Sequence, residues 1–196
     1  MAKAKTAYVC TECGAHSVKW AGQCPDCSAW NTLAQTKITA SRSAREPNSA
    51  PASLESLPDD LSHRYTSGFA EFDRVLGGGL VPGAVVLLGG DPGVGKSTLL
   101  QQVSASLSAE SPVFYATGEE SLRQIGQRSQ RLGLVAPGLE LLAETSLEHV
   151  IEQASRSGSK VLVIDSIQTM ASANLPSAPG SVAQLRECVA RVVQFA

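Results

Sequence analysis

Residues Gly90-Asp91-Pro92-Gly93-Val94-Gly95-Lys96-Ser97 carry the spacing G-x-x-x-x-G-K-S. Glycines at these positions let the backbone turn so that successive N–H groups point inward, a concave array that binds anions. A helix starting at the lysine adds the positive end of its dipole. Lys96 supplies a charge to the outer phosphates and Ser97 a hydroxyl to Mg²⁺, with Thr98 next in the loop–helix junction. The segment is thus a complete Walker A pattern, and the chemistry it predicts is binding of ATP with magnesium. The alternative, a glycine-rich turn without a ligand, does not explain the apolar run before it and the helical pattern after it.

Such a ligand needs acids nearby. Val161-Leu162-Val163-Ile164-Asp165 is an apolar run ending in a carboxylate, as a Walker B strand does. Asp165 there can hold Mg²⁺ through water. Hydrolysis also needs a group that orients or deprotonates the attacking water. Glu119 and Glu120 follow the run Val113-Phe114-Tyr115-Ala116, where an open α/β sheet places its ligands. Glu119 is the first candidate for the base and Glu120 the second, since Glu120 also suits the start of a helix. Lys96 and Glu119 are therefore the candidate catalytic residues.

Four of the five cysteines form Cys10-x-x-Cys13 and Cys24-x-x-Cys27. Two CxxC turns present four sulfurs to one ion, and four thiolates leave no open position, so a structural zinc site is predicted. So small a segment folds only with its metal. Trp20 and Trp30 are expected to pack around it. Cys188 stands apart and reads as a core residue.

The elements that must position these groups follow from periodicity. Ala84–Leu88 reads as a buried strand feeding the phosphate loop. A helix is expected from Lys96 to about Ala109, then a strand over Val113–Ala116. A helix over Glu120–Leu132, a strand over Leu139–Leu142 and a helix capped by Ser146 follow. Val161–Ile164 reads as a strongly buried strand. The last helix starts at Ser181 with Val182, Leu185, Val189 and Val192 as its apolar stripe. Alternation of this kind predicts an α/β fold with a parallel sheet and flanking helices. The 170–180 connection is rich in Ser, Pro and Gly, and reads either as a surface link or as a DNA-facing loop.

Three zones result: a zinc finger over 1–33, a Ser/Ala/Thr/Pro-rich linker over 34–60, and a P-loop domain over 61–196. At 196 residues, with 43% hydrophobic and 17% charged content, the chain suffices for one sizeable core and a small appendage. Net charge is −2, which excludes a polyanion binder by composition alone. The charge is uneven: six Lys/Arg against two acids up to Arg45, ten against sixteen beyond. That distribution permits nucleic-acid contact at the N-terminal end. No apolar stretch is long enough for a membrane span and no export signal is legible, so no membrane partner and a cytoplasmic location are expected.

Thr66-Ser67-Gly68-Phe69-Ala70-Glu71-Phe72-Asp73-Arg74-Val75-Leu76-Gly77-Gly78-Gly79-Leu80 leads straight into the Walker A segment. That combination resembles the RecA-like ATPases. With the CxxCG and CPxCxxW pattern of the finger, it is similar to the bacterial DNA repair members of that family. The resemblance implies a DNA-stimulated ATPase of recombinational repair that acts with RecA on single-stranded or branched DNA and promotes branch migration. It also implies a homo-hexamer in the complete protein. It carries Lys96 and Ser97 over as nucleotide residues, Asp165 as the Walker B acid and Glu119 as the catalytic glutamate. Family members continue with further ATPase strands, so an incomplete C-terminal sheet is expected here. The alternative class is a nucleotide-switched or regulatory ATPase that acts on protein partners without DNA-driven turnover.

Overall fold

The computed structural model describes residues 6–37, 53 and 63–196. The rest of the expected linker lies outside the described residues. The N-terminal unit is a three-stranded antiparallel sheet of β1 (Thr6–Cys10), β2 (His16–Ser17) and β3 (Leu33–Lys37), in the order β2-β1-β3. Cys10 stands opposite Leu33 in the β1–β3 ladder. The ribbon sheet therefore runs to Lys37, past the 33/34 boundary read from composition. Its core is small: Val9, Cys10, Cys24 and Leu33 are buried.

The second unit contains α1 (Ala70–Val75), α2 (Lys96–Leu107), β4 (Val113–Thr117), α3 (Leu122–Leu132), β5 (Leu139–Ala143), α4 (Leu147–Ser157), β6 (Val161–Asp165) and α5 (Val182–Phe195). The three strands pair in parallel in the order β5-β4-β6. All five residues of β4 are buried, as a central strand's should be. Alternate side chains of the strands go to opposite faces. Phe114, Ala116, Leu162 and Ile164 pack with Leu147, Val150 and Ala154 of α4 and Cys188 of α5. Val113, Val161 and Val163 pack with Val103 and Leu107 of α2 and with Tyr65, Phe69 and Phe72. The sheet thus carries helices on both sides, the α/β arrangement expected.

Helix boundaries follow capping chemistry. Ser121 caps α3 by accepting the Gln124 N–H, and Gln124 returns a bond to the Ser121 N–H, a complete capping box. Ser146 and Ser181 cap α4 and α5 by accepting the N–H of His149 and of Gln184. Helix α3 accordingly begins at Leu122, which leaves Glu120 outside it.

Three expectations are corrected. Ala84–Leu88 is not a strand: Val85, Val86 and Leu87 are 46%, 45% and 81% exposed. Apolar side chains favour burial, but a strand also needs a ladder partner, and none pairs with this run among the described residues. For the same reason β6 is only half-buried, since its second edge carries no neighbour among those residues. In α5, the buried positions are Ala183, Gln184 and Cys188, while Val182 and Val189 are exposed.

Gln184 explains that rotation. Its Nε2 donates to the carbonyls of Ser172 (3.2 Å), Leu175 (3.1 Å) and Ser177 (3.0 Å), and its Oε1 accepts the Ser172 N–H (3.0 Å). One buried amide thus satisfies the backbone of the 170–180 connection, which is anchored rather than loose. Replacing Gln184 with Leu is expected to lower unfolding stability by about 3 kcal/mol, because several buried backbone groups lose their partner. Urea unfolding followed by circular dichroism measures it.

Candidate functional site

In the ribbon, each CxxC turn folds back on itself. The Gly14 N–H donates to Cys10 O and the Ser28 N–H to Cys24 O, both at 2.9 Å. These turns bring the four sulfurs within 4.8 Å of one another. Cys10 and Cys27 Sγ lie 3.6 Å apart, and Cys13 and Cys24 Sγ 3.7 Å. A tetrahedron with Zn–S bonds of about 2.3 Å has edges of about 3.8 Å, so the donor set fits zinc. Thiol chemistry points the same way. Burial raises the Cys10 thiol, but Thr32 and the backbone of Cys13 and Glu12 outweigh it and hold it at about 6. At Cys13 the Ala15 N–H is the largest influence and lowers it. Burial and the sulfurs of Cys27, Cys10 and Cys24 together prevail and push it up to about 12. Four sulfurs this close cannot all ionise without a cation among them.

The tryptophans do not pack around this centre. Trp20 is 57% and Trp30 69% exposed, with the edges of both rings over Gly22. Cys10, Cys24 and Leu33, with Tyr8, Cys13 and Ala15 packed against them, already fill the ribbon's interior, which leaves the indoles outside.

In the α/β unit the phosphate loop ends at Gly95, the N-cap of α2, in the left-handed region at φ 102°. A side chain there would be strained, and the turn starts the helix at Lys96. The first turn of α2 has neither a side-chain cap nor an acid. Its N–H groups and dipole are left for an anion, as a phosphate cradle requires. Lys96 Nζ donates to Gly90 O (2.7 Å) and Asp91 O (2.8 Å), curling over the loop. An ammonium whose partners among the described residues are two carbonyls remains a donor to an arriving phosphate.

The parallel register sets Thr117 beside Asp165 at the end of β4 and β6. Tyr115 OH donates to Asp165 Oδ2 at 2.6 Å. Burial first, and then the Asp165 carboxylate, push the phenol well above its ordinary value, so it stays a donor and fixes that carboxylate. One residue on, Ser166 Oγ donates to Glu119 Oε1 at 2.5 Å. Gly118 makes this approach possible: a Cβ there would lie 2.1 Å from Thr169 Oγ1. Glu120 turns the other way and pairs with Arg128 of α3. A cleft of ≈ 370 Å³ opens beside both acids, lined by Thr117, Gly118, Ser121 and Glu144 among others.

The structure thus brings Asp165 and Glu119 to one sheet edge, and it packs α2, which carries Lys96 and Ser97, on β4 and β6. Among the described residues, no hydrogen bond or ion pair joins Lys96 or Ser97 to either acid. Tyr115, Ser166 and Arg128 were not singled out in the sequence. A tyrosine inside an otherwise apolar buried strand is a signal for the first, because its hydroxyl needs a partner. The other two pair over distances that no local pattern encodes.

Taken with its fold, this geometry is that of a zinc ribbon followed by a P-loop ATPase domain. Residues 82–194 match the model of the AAA domain, and residues 8–35 that of the rubredoxin metal binding domain. The AAA match spans more than half of the chain, which therefore belongs to that family of P-loop ATPases. Its cofactors are accordingly zinc at the ribbon and ATP with magnesium at the P-loop domain.

The particular protein that the chain resembles is the DNA repair protein RadA. It is 49% identical over 207 residues to that of Pseudomonas aeruginosa, 46% over 213 to that of Escherichia coli and 44% over 205 to that of Bacillus subtilis. Each alignment covers 100% of this chain and 45% of the relative, so the chain spans less than half the length of the relatives it matches. No helix among the described residues is long and apolar enough to cross a membrane.

Stripping the metal with a chelator, or replacing Cys24 with Ser, is expected to remove zinc and to unfold the ribbon while β4–β6 stay protected. The zinc-binding energy of such peptides, about 10–16 kcal/mol, exceeds anything this small core supplies. Metal analysis with amide hydrogen exchange resolved by segment tests it. Loss of protection in both units, or in neither, would contradict it.

Proposed function

We propose that this chain is the nucleotide-binding part of a DNA-dependent ATPase of recombinational DNA repair, working in the cytoplasm. The observation that carries the reading is the placement of Asp165 and Glu119 together at the strand ends. The helix that begins at the phosphate loop packs on those same strands. Similarity to RadA over the whole chain supports the biological context.

In this reading Gly90, Asp91, Pro92, Gly93, Val94 and Gly95 wrap the β- and γ-phosphates with their N–H groups, apart from the proline, which lends only its shape. Lys96 neutralises the outer phosphates, and Ser97 and Thr98 close the loop at the start of α2. Ser97 and, through water, Asp165 hold magnesium, which stabilises charge on the transferring phosphoryl group when bound. Tyr115 keeps Asp165 oriented. Glu119, exposed and, among the described residues, bonded through the Ser166 hydroxyl alone, orients the attacking water and takes its proton. Glu120 is already committed to Arg128, which favours Glu119 as the base. Single-stranded or branched DNA is the effector, RecA the protein partner, branch migration the outcome, and a homo-hexamer the assembly of the complete protein.

The deciding measurement is phosphate release with Mg-ATP at low salt, with and without single-stranded DNA. DNA is expected to raise turnover, and added salt to erase that stimulation as phosphate contacts are screened. Turnover indifferent to DNA would favour a regulatory ATPase acting on protein partners.

Glu119→Gln is expected to lower kcat by about a hundredfold or more while ATP still binds. Lys96→Ala is expected to weaken ATP binding itself, by about tenfold to a hundredfold, the worth of its charge-assisted hydrogen bonds. Equal loss of binding in both variants would remove Glu119 from the base role.

A further inference from the structure

Gln101 lies one helical turn after Ser97 on α2 and is only 1% exposed. A glutamine is an expensive choice for such a position unless its amide is used. Its Nε2 donates to Ile125 O (2.9 Å) and to Ser129 Oγ (2.5 Å), both on α3. The helix that begins at the phosphate loop is therefore pinned by a buried amide to the middle of α3.

Arg128 is the neighbour of Ser129 on that helix. One limb of its guanidinium pairs with Glu120. Glu120 in turn donates its backbone N–H to Thr117 Oγ1 (3.1 Å) and is the chain neighbour of Glu119. A path of direct contacts thus runs from α2 through Gln101 to Ser129, then by Arg128 to Glu120 and the Glu119 turn.

This path is incompletely bonded. Gln101 Oε1 and Arg128 Nη1 are both buried without a hydrogen-bond partner. Folded proteins leave few such atoms. One is an acceptor on α2, where the path begins, and the other a donor on α3, where the path turns to Glu120. A contact with unused bonding capacity at both ends can rearrange without breaking what it already holds.

We propose that Gln101 and Arg128 are positioning residues for the hydrolytic step: they register the phosphate-bound helix α2 against the turn that carries Glu119. Phosphate seating at the start of α2 shifts that helix, Gln101 transmits the shift to α3, and Arg128 passes it to Glu120. Neither residue touches nucleotide. The relay rests on α2 binding phosphate as proposed above.

The test is hydrogen exchange over 121–132 in the full chain, with and without Mg²⁺ and the non-hydrolysed analogue AMP-PNP, alongside a direct binding titration. The wild-type chain is expected to bind the analogue and to slow exchange in α3. Gln101→Leu is expected to bind it with similar affinity but to lose the α3 response. In turnover assays, Gln101→Leu and Arg128→Met should lower kcat by about tenfold to a hundredfold at nearly unchanged KM, the signature of a misplaced catalytic group. Arg128→Lys, which keeps a cation for Glu120, should restore part of the loss. Ser129→Ala removes one acceptor alone and, should Gln101→Leu not fold, is expected to weaken the response on its own. Analogue binding with no α3 response in the wild type overturns the relay and leaves the phosphate-loop reading standing. An equal response in wild type and variants also overturns it. Failure of the wild-type chain to bind the analogue overturns both.

Discussion

Strand β4 is hydrogen-bonded along both edges and packed on both faces, so it has no freedom to slide. A shift of one residue would turn Phe114 and Ala116 out of one apolar layer and Val113 and Tyr115 out of the other. That constraint fixes where the strand stops. Because β4 stops at Thr117 level with Asp165 of β6, the residues that follow the two strands meet, and Ser166 reaches Glu119. The same burial forces the Tyr115 hydroxyl to find an acceptor, and the acceptor within reach is Asp165. The acids are placed by the core beneath them and not by the loops around them.

Helix α5 serves a different set of demands from each of its faces. Ala183 is small enough for the first cysteine turn to rest on it: a Cβ added to Gly14 would lie 3.4 Å from its own. Arg186 donates to Cys13 O at 3.1 Å on that same side. Gln184 holds the connection that follows β6, Cys188 fills the core against Met170, and Arg191 pairs with Glu148 of α4. A metal-stabilised ribbon and the segment just beyond Asp165 therefore bear on one short stretch of helix.

These demands explain what could be read from the chain and what could not. Cysteine spacing, the glycine–lysine–serine loop and the helix starts at Ser146 and Ser181 are local, and local chemistry predicts them; the cap at Ser121 replaces the expected start at Glu120. The run at 84–88 departs from its expected strand because hydrophobicity says that a segment favours burial but not that a ladder partner exists for it. The expected stripe of α5 holds at Val192, which packs on the core, and fails at Val182 and Val189, which are exposed, because counting valines ignores what Gln184 must satisfy. Pairing of Tyr115 with Asp165, and of Glu120 with Arg128, depends on register and helix placement, which emerge only after the chain has folded. The zinc ligands are the opposite case: sixteen intervening positions between Cys10 and Cys27 were enough to specify the cluster, because metal geometry supplies the missing distance information.

The outward turn of the indoles has an optical consequence. The chain contains two tryptophans, and both lie on the ribbon with their rings in solvent. Excitation at the red edge of the protein absorption band, beyond the reach of tyrosine, therefore addresses the metal unit alone and leaves the α/β unit dark. The molecule carries its own reporter for one half, sensitive to whatever approaches that surface, with no label attached.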